Sequence, residues 1–343
     1  MNVLRSHRFI IKNTYSLSNH FNKLINSHKP LVFGFRKAMS SFSTVPNIVS
    51  TEWVAQNHES IIPLDGSWHM PNANRDPYKE YLEKRIKNAR FFGIDEIKDK
   101  NTDLPHMLPS SENFAKAIGE LGISEKDHIV VYDSIGLFSS TRVYWTFRVF
   151  GHEKISVIDG GLPKWIAEKR EIESGPVSFT PKVYKTPTLN EELVRNYEDI
   201  RNNINKGPDS PDFEQVLDAR PEARFEGTAP EPRAGLSSGH MPHSFSVPFN
   251  SIIDPNTKTT LLKDDELKKL FESKHIDLNK PIVLSCGSGV TATMLYLALE
   301  KIGAEKLAVY DGSWTEYASK EDSPIVGKNI SNYNNGNCDC KDH

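Results

Sequence analysis

The chain contains one half of itself twice. Ile62-Pro63-Leu64-Asp65 is matched by Gln215-Val216-Leu217-Asp218, with the two aspartates 153 residues apart. The same offset carries Phe114 onto Leu267, Ile123 onto Ile276, and Ile129-Val130-Val131 onto Ile282-Val283-Leu284, which sets Asp133 opposite Cys286. It falls to 152 by Asp159-Gly160 and Asp311-Gly312. A repeat this long is a folding unit rather than a solenoid module, so the 343 residues resolve into two cores with extensions.

Each half reads as short apolar strands alternating with amphipathic helices, the pattern of a parallel sheet flanked by helices. In the second half, residues 263–274 carry Leu267, Leu270 and Phe271 at helical spacing behind Asp264, Asp265 and Glu266. Pro281-Ile282-Val283-Leu284-Ser285 is continuously apolar, as a strand buried on both faces should be. A helix over 291–302 then sets Ala292, Leu295, Leu299 and Ile302 on one stripe, and a further strand follows at 306–310. The expected organisation is an α/β chain of two tandem domains, 45–170 and 191–326. A proline-punctuated linker at 171–190, holding Pro176, Pro181 and Pro187, should be exposed between them. An Asn-rich tail at 327–343 is expected to be disordered.

The opening 44 residues differ from the rest. Arg5, Arg8, Lys12, Lys23, Lys29, Arg36 and Lys37 all precede the first acidic residue, Glu52, and the apolar run from Leu31 to Phe35 is too short for a secretory core. This composition matches a mitochondrial transit peptide over 1–44. A second start at Met39 would yield a shorter cytosolic form. No run approaches the length of a membrane helix, and a net charge of -3 speaks against nucleic acid, so neither partner is expected.

Three cysteines, Cys286, Cys338 and Cys340, cannot staple a chain this size, and a reducing compartment suits them. The tail pair is too small to complete a zinc site, and no metal or organic cofactor is expected. Cys286 stands apart because it ends a buried strand and opens Gly287-Ser288-Gly289-Val290-Thr291-Ala292 before a helix. The carboxyl edge of a parallel sheet is where such folds place ligands. Most buried cysteines are inert small hydrophobes. An inert one has no need of glycines at the next and third positions, whereas a thiolate does, since they let backbone N–H groups turn toward the sulfur at a helix N-terminus. Cys286 is therefore the candidate nucleophile.

The loop Cys286-Gly287-Ser288-Gly289-Val290-Thr291-Ala292 is accompanied by Leu217-Asp218-Ala219-Arg220, Arg224-Phe225-Glu226-Gly227, Pro230-Glu231-Pro232-Arg233, Gly239-His240-Met241-Pro242, Val247-Pro248-Phe249 and Tyr310-Asp311-Gly312-Ser313-Trp314. Together these resemble the tandem-domain rhodanese superfamily, over nearly all of residues 48–320. The loop is similar to that of the mercaptopyruvate branch; thiosulfate enzymes place Arg and Lys where this chain has Gly287 and Ser288. The resemblance implies a sulfurtransferase that takes sulfur from 3-mercaptopyruvate or thiosulfate onto Cys286 and passes it to thioredoxin, a small thiol or cyanide. It also implies Arg224 and Arg233 as donor-binding residues along a loop of Gly287, Gly289, Val290 and Thr291. A proton-handling set of Asp95, His106 and Ser288 is implied too. Asp133, the counterpart of Cys286, cannot carry sulfane sulfur, so the first domain should be catalytically silent. A monomer or weak dimer is expected.

Some positions depart from the family pattern: Lys84-Arg85-Ile86-Lys87-Asn88-Ala89, His243 after Met241-Pro242, and Phe138 where a tyrosine is common. A cysteine phosphatase would need an arginine six positions after the cysteine, and residue 292 is alanine. The remaining alternatives are a thiosulfate:cyanide sulfurtransferase and a sulfur carrier feeding tRNA thiolation.

Overall fold

A computed structural model describes residues 45–329; the expected transit peptide, Met39, Cys338 and Cys340 lie outside them. The first half runs through β1 (Ile48–Val49), β2 (Ile62–Asp65), β3 (Arg85–Ile86), β4 (Arg90–Phe91), β5 (Ile129–Tyr132), β6 (Ile155–Ile158) and β7 (Ile172–Glu173). The second runs through β8 (Val194–Arg195), β9 (Gln215–Asp218), β10 (Ser238–His240), β11 (Phe245–Ser246), β12 (Ile282–Ser285), β13 (Leu307–Tyr310) and β14 (Val326–Asn329). Two five-stranded sheets result, ordered β1-β6-β5-β2-β4 and β11-β9-β12-β13-β8. Read from opposite ends they are one topology, and all their pairings are parallel.

The repeat is kept in the register. Leu64 pairs with Val131 and Asp65 with Tyr132, while Leu217 pairs with Leu284 and Asp218 with Ser285. A one-residue slip would turn every core side chain to the other face, so a constant offset between two β-branched runs is what a duplicated sheet demands.

Helices Ser140–Val149 and Ala292–Lys301 pack against each other across the halves and join the two cores into one cluster. A single apolar stripe was expected on the second of these. Instead every residue from Ala292 to Leu299 is buried, because the helix is covered by its own sheet on one side and by the other half on the other. At the crossing Thr141 Oγ1 lies 2.9 Å from Thr293 Oγ1. Flanking contacts repeat reciprocally: Leu108 N donates to Asp311 and Leu261 N to Asp159.

Residues 171–190 keep much of their surface exposed but are strapped to the first half. β7 pairs with β3, Gly175 N donates to Leu82 O, Lys182 N to Gly119 O, and Tyr184 is buried against Phe114. The unusual stretch at 84–89 belongs to this strap, where fully buried Arg85 donates to Gly175 O. The expectation of disorder from residue 327 is corrected for its first residues, since Val326–Asn329 pairs with Ser238–His240. The approach is close enough that a Cβ on Gly239 would stand 2.5 Å from the Val326 carbonyl oxygen, which the lone sequence of the tail does not reveal.

One difference between the halves bears on stability. Asp218 is ion-paired with Arg220, whereas its counterpart Asp65 has Ser67 in the arginine's place. Burial pushes the Asp65 carboxyl up to about 7, opposed by hydrogen bonds from Ser67 and Tyr132. A raised carboxylate contributes stability below its unfolded value of 3.8 and loses it as pH rises through about 7. Asp65→Asn should therefore raise thermal stability at pH 8, by up to the order of 3–4 kcal/mol, and bring little gain at pH 4. Melting curves across that range check this; a pH-independent difference would refute it.

Candidate active site

Cys286 follows β12 directly and is 2% exposed. Its backbone is held from the next strand's turn: Cys286 N donates to Ser313 Oγ at 3.2 Å, and Trp314 N donates to Cys286 O at 2.9 Å. Thr315 N and Oγ1 both donate to Gly287 O. The cavity over the cysteine has a volume of about 150 Å³, lined by the loop residues, by Arg220, Arg224 and Arg233, and by Trp68, Met70, Phe138 and Phe249. Such a space suits a very small ligand. A larger groove of 670 Å³ lies along the helix Ser111–Glu120 and holds neither cysteine nor arginine.

The glycines of the loop have distinct causes. Gly289 sits at φ 79, in the left-handed region, and a Cβ there would meet Arg142 Nη1 at 2.7 Å and Asp311 O at 2.9 Å. Gly287 makes room for the arginines instead. A Cβ on it would stand 3.3 Å from Arg224 Nη2 and 3.7 Å from Arg233 Nη1.

The two guanidinium groups differ. Arg224 is forked onto Glu231, with Nη2–Oε2 at 2.5 Å and Nε–Oε1 at 3.1 Å. Glu231 also receives Arg220, which grips Asp218 in turn and stacks over Trp314 at 3.9 Å. Two arginines thus face two carboxylates. Arg233 has no hydrogen-bond or ion-pair partner among the described residues. Burial pulls its guanidinium below the usual value, while Cys286 and Glu231 pull it up and Arg224 adds to the lowering.

His106 comes from the first half, in a left-handed backbone conformation at φ 62, and is 4% exposed. Its Nδ1 lies 2.8 Å from Asp95 Oδ1, and its Nε2 is buried with no hydrogen-bond partner among the described residues. Trp68 links this pair to the cavity, with its ring 4.7 Å from the imidazole and its indole N–H donated to Asp95 Oδ2 at 2.8 Å. Burial lowers the His106 value against the opposing pull of Asp95; Arg142 and Arg233 lower it further. Asp95, which burial alone would raise, is held below the ordinary range by His106 and Trp68. Ser288 is nearly buried, and its hydroxyl makes no hydrogen bond among the described residues.

Asp133 shows what the same loop does without sulfur. Its carboxylate accepts from the backbone N–H groups of Ile135, Gly136, Phe138 and Ser140 and from the Ser140 hydroxyl, filling its loop with its own charge.

Residues 74–168 and 196–320 each match the model of the rhodanese-like domain. The chain belongs to the rhodanese family. Among its relatives, the mitochondrial thiosulfate/3-mercaptopyruvate sulfurtransferase 1 of Arabidopsis thaliana is 43% identical over 83% of this chain and 79% of its own. The 3-mercaptopyruvate sulfurtransferase of Mus musculus is 40% identical over 79% and 91%. Among solved structures, the 3-mercaptopyruvate sulfotransferase SseA of Escherichia coli superposes with a TM-score of 0.69 at 34% identity, over 79% of this chain and 99% of that one.

Sequence reasoning within this rhodanese chain missed Trp68, Met70, Arg142 and the pairing role of Glu231. Phe249 and Asp311 lay within quoted motifs without an assigned part. Of the departures from the family pattern, Phe138 lines the cavity, whereas His243 and residues 84–89 do not. Among the described residues no cluster of His, Cys, Asp or Glu could hold a metal ion, and no helix is long and apolar enough to cross a membrane.

Proposed function

We propose that this chain moves sulfur from 3-mercaptopyruvate, through a persulfide on Cys286, to a thiol acceptor and releases pyruvate. The observation that carries the donor assignment is the charge balance over the loop. Among the described residues, Asp218 and Glu231 match Arg220 and Arg224, leaving Arg233 as the one uncompensated guanidinium beside Cys286. One cation suits a donor with a single carboxylate better than the thiosulfate dianion, and Gly287 and Ser288 add no charge.

Arg233 and Arg224 hold the carboxylate and carbonyl oxygens of the donor. The Cys286 thiolate attacks the donor sulfur, an S–S bond forms, the donor's C–S bond breaks, and its electron pair leaves as the enolate of pyruvate. The proton of the donor thiol passes by Ser288 and His106 to the enolate carbon, with Asp95 fixing the imidazole. Thioredoxin, a small thiol or cyanide then takes the outer sulfur and returns the Cys286 thiolate. The second domain does this chemistry; the first, its loop filled by Asp133, contributes a wall and the Asp95–His106 pair. A mitochondrial location belongs to the same proposal, supported by the acid-free N-terminus and by the Arabidopsis relative's name.

Steady-state kinetics with both donors test the assignment, by pyruvate release from 3-mercaptopyruvate and sulfite release from thiosulfate. The expected kcat/KM favours mercaptopyruvate by about tenfold or more, that is, about 1.4 kcal/mol or more of differential transition-state binding. Equal or better turnover of thiosulfate would overturn it.

A further inference from the structure

The loop bearing Cys286 and the loop bearing His106 come from opposite halves, and the Arg142 side chain touches both. Arg142 projects from the first half's helix Ser140–Val149, is 2% exposed, and packs over Trp145 at 4.6 Å. Its Nη1 donates to Gly289 O at 3.2 Å, and its Nη2 donates to His106 O and, at 2.7 Å, to Asp311 Oδ1. The other oxygen of Asp311 accepts from Leu108 N at 2.9 Å. Asp311 also opens the turn whose Ser313 and Trp314 hold the Cys286 backbone. One buried guanidinium–carboxylate pair therefore ties the 104–109 loop to the two turns around the cysteine.

The duplication supplies an internal control. At the helical offset of 152, Arg142 corresponds to Met294, which is buried and hydrocarbon-like. On that side Leu261 N still donates to Asp159 Oδ1 at 3.0 Å, so the reciprocal interface contact forms without any arginine. Burying a guanidinium costs more than burying a thioether unless every donor is met. The arginine occurs only on the side that faces the cysteine loop, where its donors reach the carbonyls of His106 and Gly289, two left-handed residues that no helix or strand holds.

We infer that Arg142 is a positioning residue for sulfur transfer: it clamps the His106 loop to the Gly289 turn and so holds the imidazole in register with Ser288. This rests on the proton relay proposed above. Among charged groups, Asp95, Arg142 and Arg233 face His106.

The test compares wild type with Arg142→Met, which copies the Met294 side, and Arg142→Lys, which keeps the charge but cannot span both carbonyls. Arg142→Met should lower kcat with 3-mercaptopyruvate by about 10- to 100-fold, leave KM within about threefold, and leave thiosulfate turnover, whose sulfite leaving group needs no proton, within about threefold. In a His106→Asn background it should cost nothing more, because a residue acting through His106 has nothing left to lose. Arg142→Lys should show the same donor bias in smaller degree and serves if the methionine variant does not fold. Equal losses with both donors, or additive losses in the His106→Asn background, would overturn the inference. Nitrogen-correlated NMR of the His106 ring, assigned by its absence in His106→Asn, needs no donor at all. Unchanged ring shifts and titration in both Arg142 variants would sink the clamp whatever the donor proves to be, while wild-type turnover alone judges the donor assignment.

Discussion

Cys286→Ser is expected to abolish sulfur transfer, lowering turnover with either donor by at least about ten-thousand-fold, because a hydroxyl is neither ionised at neutral pH nor able to hold sulfane sulfur. Wild-type protein treated with 3-mercaptopyruvate should gain the mass of one sulfur atom on the peptide containing Cys286, and the serine variant should gain none. The loss should be chemical rather than structural. The cysteine is anchored through its backbone, by Ser313 and Trp314, and a serine leaves both bonds intact. Melting temperatures of the two proteins within a few degrees would support that separation. Full activity in the serine variant would sink the mechanism.

His106→Asn should lower kcat with 3-mercaptopyruvate by about 100- to 1,000-fold, the usual worth of a positioned acid–base group, and spare thiosulfate. The pH profile gives the sign. Burial depresses the His106 value below 6.5, so the imidazole stays neutral and able to accept a proton until pH falls through that lowered value. Wild-type turnover of mercaptopyruvate should therefore hold through pH 6.5 and drop only further into acid, and the acid limb should disappear in the asparagine variant. An acid limb retained in that variant would assign it to another group. The same depression contributes stability above the unfolded value of 6.5 that is lost as pH falls through the folded one. Half-buried His128, lowered to about 4, and buried His152, also lowered, act in the same sense, and in the first half they are opposed by Asp65, whose contribution to stability grows as pH falls through about 7.

The comparison of halves explains why some of this site could be read from sequence and some could not. The sheet register forces a constant offset, so the duplication and the pairing of Asp133 with Cys286 are written into spacing alone. Gly287 and Gly289 were legible as glycines with a purpose, because an inert cysteine gives no reason for them. Their causes were not. Gly287 is explained by arginines 54 and 63 residues earlier, and Gly289 by Arg142 from the other half. The helix Ala292–Lys301 was readable as a helix, but its burial on all sides depends on a partner helix more than a hundred residues away.

What the residues alone determined about this chain was local or periodic: two α/β halves, the strand ending at Cys286, the aspartate Asp133 at the matching place in the other half, and an acid-free N-terminus. Side-chain alternation, glycine placement and charge need no partner to be seen. The tertiary structure decided the rest, which depends on distances between segments far apart in the chain. Arg224 became a compensated cation only when Glu231 met it, Arg233 an uncompensated one, and Arg142 a clamp only when the halves closed, because a buried charge takes its meaning from what lies within a few ångströms of it.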